Sequence, residues 1–271
     1  MNLGVAAFFL MGLIFLLPTK GNATHLMGAD ISYECIGQCT VRVFLKAYRD
    51  CSGSPSISAF PFQFISQTPG CGQPNPINAW PAQTVVEVTP VCNSVSTQCS
   101  GAGGQLNGVQ EYSWTRDYDI CSVPNCVYTL QWSTCCRNRA FTYLVNPGSA
   151  SIYVGSTTLN TGIQPCNNSP YFTNPPVPYI SLGQPITFNQ GAVDPEGDSL
   201  VFSLGACFES AGQQVTYAAG YSALQPLGPS WNVSIISQTG DITVLPQPGN
   251  VEVAGLCVYV EEYRNGVLLN T

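Results

Sequence analysis

Residues 194–200 read DPEGDSL and place three carboxylates at alternate positions, Asp194, Glu196 and Asp198, around one proline and one glycine. Calcium takes about six to eight oxygen ligands from carboxylates, carbonyls and water. A loop folded around an ion supplies three of them at this spacing, with Gly197 permitting the tight bend. The remainder must come from elsewhere, and Glu209, Asp241 and the pair Glu261/Glu262 are the acidic candidates. The same stretch also makes a plain turn, because Pro195 and Gly197 are turn formers and aspartate opens turns by bonding its own backbone. Both readings stand at this point, and calcium ligation, where it occurs, is expected at Asp194, Glu196 and Asp198.

Other groups offer less chemistry. The single histidine, His25, lies one residue after the chain start expected from processing, a poor place to hold a general base in register. The adjacent pair Cys135-Cys136 lacks the C-x-x-C spacing of redox pairs. Neighbours on a strand point to opposite faces, so these two are expected to be structural and to bond different partners. Glu111, Asp117 and Asp119 resemble a glycosidase pair only in composition, since paired carboxylates must face each other across a cleft. A flat strand offers none, and Arg116 is expected to pair with one of them at the surface. The aromatic set Tyr112, Trp114, Tyr118, Tyr128 and Trp132 either stacks on sugars from an exposed face or fills the space between sheets.

These groups must be positioned by strands. In TVRVFLKAY (40–48), Val41, Val43, Leu45 and Ala47 take one face, and Arg42, Phe44, Lys46 and Tyr48 the other. EYSWTRDY (111–118) and CVYTLQW (126–132) alternate in the same way, the period-two signature of half-buried strands. Beyond the N-terminus no segment carries an amphipathic helix of useful length, so the fold class expected is all-β. Strands are expected near 186–190, 200–204, 214–221, 231–236, 241–245 and 253–262. Asn265-Gly266 is a strong two-residue hairpin signal leading into a returning strand.

Only 8% of the 271 residues are charged, with eight Lys and Arg against fifteen Asp and Glu, while 45% are hydrophobic. A net charge of −7 leaves no footprint for a phosphate backbone, so nucleic acid is excluded as a partner. GVAAFFLMGLIFLLP (4–18) has the length of a signal-peptide apolar region, shorter than a spanning helix needs, and Gly21 and Ala23 provide small residues for cleavage before Thr24. Residues 1–23 are therefore read as a signal peptide, with no membrane span in the mature chain and a secreted or cell-surface location. All thirteen cysteines follow that site, which points to a disulfide framework rather than zinc. The odd count leaves at least one without an internal partner.

Ten cysteines fall between 35 and 136 and three, Cys166, Cys207 and Cys257, after them. Six prolines lie in 165–185, a stiff connector composition. The expected organisation is a disulfide-rich β domain over 24–165, a proline-rich connector over 166–185, and an immunoglobulin-like or cadherin-like β-sandwich over 186–271. That sandwich is expected to be incomplete at its C-terminal strand, as in a fragment whose further modules continue past Thr271.

The strings THLMGADISYEC, VFLKAYRDCSG, WTRDYDICSVPNCVYTLQWSTCCRNRA, DPEGDSLVFSL and TGDITVLPQPG resemble large secreted surface proteins of gliding bacteria. These are gliding-motility-associated or adhesin-like proteins built from cadherin-like, PKD-like or immunoglobulin-like modules. The resemblance spans most of 24–271 and implies export, surface display and adhesion, with no enzymatic activity. DPEGDSL looks like the acidic stretch with which cadherin-like modules bind calcium. The resemblance further implies a cysteine where this chain has Ser181, which would leave Cys166 without a partner. The expected function is a non-enzymatic adhesin-like or structural module, possessing a calcium-stabilised second domain, that meets a cell-surface or matrix protein or a glycan. The alternative is a secreted carbohydrate-binding or carbohydrate-active protein using the Tyr/Trp strand face.

Overall fold

In the computed structural model, residues 25–52, 57, 62–77, 82–92, 94–101, 103–155, 157–163, 165–176, 179–181, 183–229, 231–245 and 253–271 are described. The signal peptide expected at 1–23 lies outside them. The first half contributes β1 (Leu26–Cys35), β2 (Thr40–Asp50), β3 (Gln63–Ser66), β4 (Asn75–Pro76), β5 (Ala82–Glu87), β6 (Val109–Asp119), β7 (Val127–Thr134), β8 (Ile152–Val154) and β9 (Thr158–Asn160). The second contributes β10 (Tyr171–Phe172), β11 (Ile186–Phe188), β12 (Ala192–Val193), β13 (Ser199–Gly205), β14 (Phe208–Ser210), β15 (Gln213–Gln214), β16 (Asn232–Ile235), β17 (Ile242–Leu245), β18 (Cys257–Arg264) and β19 (Val267–Asn270). The protein is all-β, as the alternation requires.

One sheet runs β1-β2-β6-β4 with β5 also on β6, and a second runs β15-β14-β8-β7-β3 with β9 also on β7. Their inner faces share one core. Val41, Val43, Leu45 and Ala47 are 1% exposed or less, the face that the sequence pattern assigns inward. Across from them lie Phe64, Tyr128, Leu130 and Trp132, and Phe64 meets Tyr118 edge-on with ring centroids 4.8 Å apart. All five aromatics of the candidate sugar platform, Tyr112, Trp114, Tyr118, Tyr128 and Trp132, are at most 6% exposed. They fill the space between the sheets, and their rings offer no stacking face to a glycan.

Two further clusters complete the interior. One joins Phe141, Tyr143 and Leu144 to Cys207 and Val215, and the other gathers Leu227, Trp231, Ile242 and Val244. The later strands form β11-β17-β16, β13-β18-β19 and the short pair β10-β12. Asn265 and Gly266 turn β18 into β19 with φ of 52° and 78°, the left-handed pair that a tight hairpin needs. The stretch 214–221, expected as a strand, holds only the end of β15 before irregular chain.

The expected division near 166–185 is crossed repeatedly. Phe208 on β14 pairs with Tyr153 on β8, so a strand from the expected second domain extends a sheet of the first. The buried Arg137 guanidinium donates to the carbonyls of Ser151 and Phe208. The Thr158 N–H donates to Asn270 Oδ1 at 2.8 Å. The connector is pinned too: Ser169 exchanges hydrogen bonds with the Tyr33 backbone, and Cys166 is bonded to Cys35.

Six disulfides are present, the others being Cys39–Cys121, Cys51–Cys99, Cys71–Cys126, Cys207–Cys257 and Cys135–Cys136. Two expectations are corrected here. Cys166 has a partner, and the cysteine left over is the exposed Cys92. Cys135 and Cys136 bond each other rather than two separate partners.

Candidate metal centre

The turn that carries DPEGD is built by its own acids. The Asp194 Oδ1 accepts from the N–H groups of Glu196 (3.0 Å) and Asp198 (2.7 Å), and its carbonyl accepts from Gly197 N–H. Gly197 has φ +81° with open space about it, so backbone conformation rather than crowding selects glycine. The turn reading of this stretch is therefore realised. It occupies one oxygen of Asp194 and leaves Oδ2 buried without a hydrogen-bond partner.

The expected ligand trio does not assemble. Glu196 is not part of the carboxylate group, and its Oε1 accepts from both the N–H and the side-chain amide of Asn168. Its place is taken by Glu262, one of the acids that the sequence offers as a supplementary ligand. One carboxylate oxygen from each of Asp194, Asp198 and Glu262 lies within 4.8 Å of the others. Of the remaining candidates, Asp241 accepts from Asn189 and Thr239, and Glu261 accepts from Tyr263.

Sheet register explains why Glu262 arrives there. It sits on the central strand β18, opposite Leu200 of β13 and Asn270 of β19. Alternation puts Val258, Val260, Glu262 and Arg264 on one face. Glu262 is 0% exposed, its Oε1 accepts from Asn167 Nδ2 at 2.7 Å, and its Oε2 is buried with no partner. Burial pushes this carboxyl up to about 7, and the nearby Asp194 and Asp198 charges add to the effect. Two residues on, Arg264 Nε donates to both oxygens of Asp198 at 3.0 Å, and this contact holds Asp198 below the ordinary carboxylate value. The same guanidinium donates to Asn167 Oδ1, so the segment following Cys166 is drawn into the centre.

The arrangement supplies three hard oxygen donors with a cation already paired to one of them. It suits a calcium ion or a shared proton, and none of these groups has a sulfur or imidazole neighbour in the cluster. The other carboxylates considered from sequence serve the sheet surface instead. Asp117 is held by Arg42 at 2.7 and 3.0 Å, and the Arg116 guanidinium lies over the Tyr118 ring. Glu111 Oε1 accepts from Ser113, and Asp119 Oδ1 accepts from the Cys121 N–H.

Compared with known proteins, the chain matches no family model, no curated protein and no solved structure.

Proposed function

We propose that this chain is a non-enzymatic, exported structural and adhesive module that meets a cell-surface or matrix protein through its strand edges. The observation that carries this reading is how the apolar side chains are allotted. The large aromatics are spent inside the sandwich, whereas Val85 and Val86 on the outer strand β5 stand 47% and 57% exposed. Val267 and Leu268 on β19 are exposed in the same way. An outer strand with an unsatisfied edge and apolar side chains suits pairing with an extended segment of another protein. The six disulfides support a working place outside the reducing cytosol. Among the described residues no helix is long and apolar enough to cross a membrane.

The test is binding of the oxidised chain to immobilised surface and matrix proteins, beside a glycan array. Saturable protein binding that a Val85→Lys/Val86→Lys double variant weakens is the expected result. Binding to glycans alone would overturn the partner class, and release of product from a polysaccharide would overturn the non-enzymatic reading.

A further inference from the structure

We propose that the bond between Cys135 and Cys136 is a thiol–disulfide exchange site, opened by an external dithiol while the other five disulfides stay closed. The first argument is what each bond holds together. The other five join residues 48 to 131 apart in sequence, whereas Cys135 and Cys136 are adjacent. A disulfide stabilises a fold chiefly by closing a loop of the unfolded chain, and more so as the loop lengthens. Between neighbours there is no loop to close. The effect is reciprocal around a thermodynamic cycle, so a bond that adds little to the fold gains little protection from it against reduction. Cys35–Cys166 stands at the protected extreme and Cys135–Cys136 at the other.

Access is the second, independent argument. Exchange begins when a thiolate reaches one sulfur of the bond, so exposed disulfides are the labile ones. Cys135 is exposed just past the end of β7, and Cys136 is half-buried. Cys126 and Cys207 are buried, and Cys35, Cys166, Cys51 and Cys99 are half-buried on both sides of their bonds. Cys39 and Cys121 are both exposed, but their bond spans 82 residues. That bond is the internal comparison, equal in access and different in what it closes.

The exchange balances with the dithiol alone. One of its thiolates attacks Cys135 Sγ, the Sγ–Sγ bond breaks, and Cys136 leaves as a thiolate that takes up a proton. The second thiol of the reagent attacks the mixed disulfide, frees Cys135 as a thiol and closes the reagent into its own disulfide. Two electrons pass to the two cysteines, and the oxidised reagent runs the step backwards.

The consequence falls on the junction just beyond the pair. The Cys136 carbonyl accepts from Leu26 N–H at 3.3 Å, and the Leu26 carbonyl accepts from Asn138 N–H at 2.9 Å. Asn138 Nδ2 donates to the buried Asp50 at the end of β2. Opening the ring frees the backbone that leads into this junction, while the long cross-links keep the sheets in place. The site concerns thiols rather than a binding partner, so its failure and that of the adhesive reading are separately visible.

The test holds the full oxidised chain in dithiothreitol buffers of rising reducing power, quenches by alkylation and locates the labelled cysteines by peptide mass. Beside the free Cys92, Cys135 and Cys136 are expected to label together at a dithiol ratio at least about tenfold below that needed for Cys39 and Cys121. Amide exchange at Leu26 should quicken in that window, with the unfolding midpoint little changed. Labelling of Cys39 and Cys121 first, or of all the bonded cysteines at once as the chain unfolds, would overturn the proposal. A Cys135→Ser/Cys136→Ser variant should unfold close to the unmodified chain. A fall in midpoint as large as that from Cys35→Ser/Cys166→Ser would show a structural staple instead. If the variant folds poorly, the labelling order in the unmodified chain decides the question.

Discussion

Asp30 shows how a single half-buried acid makes the stability of this molecule depend on pH. It sits on β1 opposite Lys46, and the Tyr48 hydroxyl donates to it at 3.4 Å. Burial pushes its carboxyl from 3.8 up to about 7, against the opposing pull of Lys46. The folded chain thus binds this proton more tightly than the unfolded chain does. Its contribution to stability is fully present below about pH 4 and is lost as the pH rises through about 7. Glu262 acts in the same direction, so the informative quantity is a difference. Unfolding midpoints of Asp30→Asn and the unmodified chain, measured from acid to alkaline pH, should differ in slope between about pH 4 and pH 7 and run parallel outside that window. Parallel curves would show that Asp30 titrates normally.

At the scale of elements, the hairpin β18–β19 places both Glu262 and Arg264, so its turn should matter to the whole centre. Asn265 and Gly266 are both left-handed, and a β-branched side chain cannot adopt that conformation cheaply. Gly266→Val should cost about 1–2 kcal/mol in chemical denaturation, although nothing crowds the position. This turn was legible from the Asn-Gly pair alone. So were β2, β6 and β7, because each buries one face and the period of two appears directly in the chain. What escaped is long-range pairing: nothing local to Phe208–Ser210 signals that it joins β8. Glu262 was readable only as a candidate, since the sequence VYVEEYR shows alternation but not what covers each face. The exposure of the aromatics had the same ambiguity, because a sandwich core and a sugar platform use the same residue types. Cys135 and Cys136 were misassigned because strand alternation was applied at the point where β7 has already ended.

At the scale of the molecule, residues on either side of 166–185 are tied together by strand pairing, hydrogen bonds and a disulfide. The Cys35–Cys166 bond closes a separation of 131 residues and fixes the start of the expected connector against β1. Removing it with a Cys35→Ser/Cys166→Ser double variant should lower stability by about 2–5 kcal/mol. The loss should also loosen Asn167, which bonds both Glu262 and Arg264, and amide exchange at Asn167 unchanged by the variant would show that this coupling is absent. The central claim, that a covalently stapled β scaffold acts by presenting its surface, is tested most directly by comparing oxidised and fully reduced chain for binding to intact cells. The account predicts saturable binding by the oxidised chain that disappears on reduction. Equal binding after complete reduction and unfolding would contradict it.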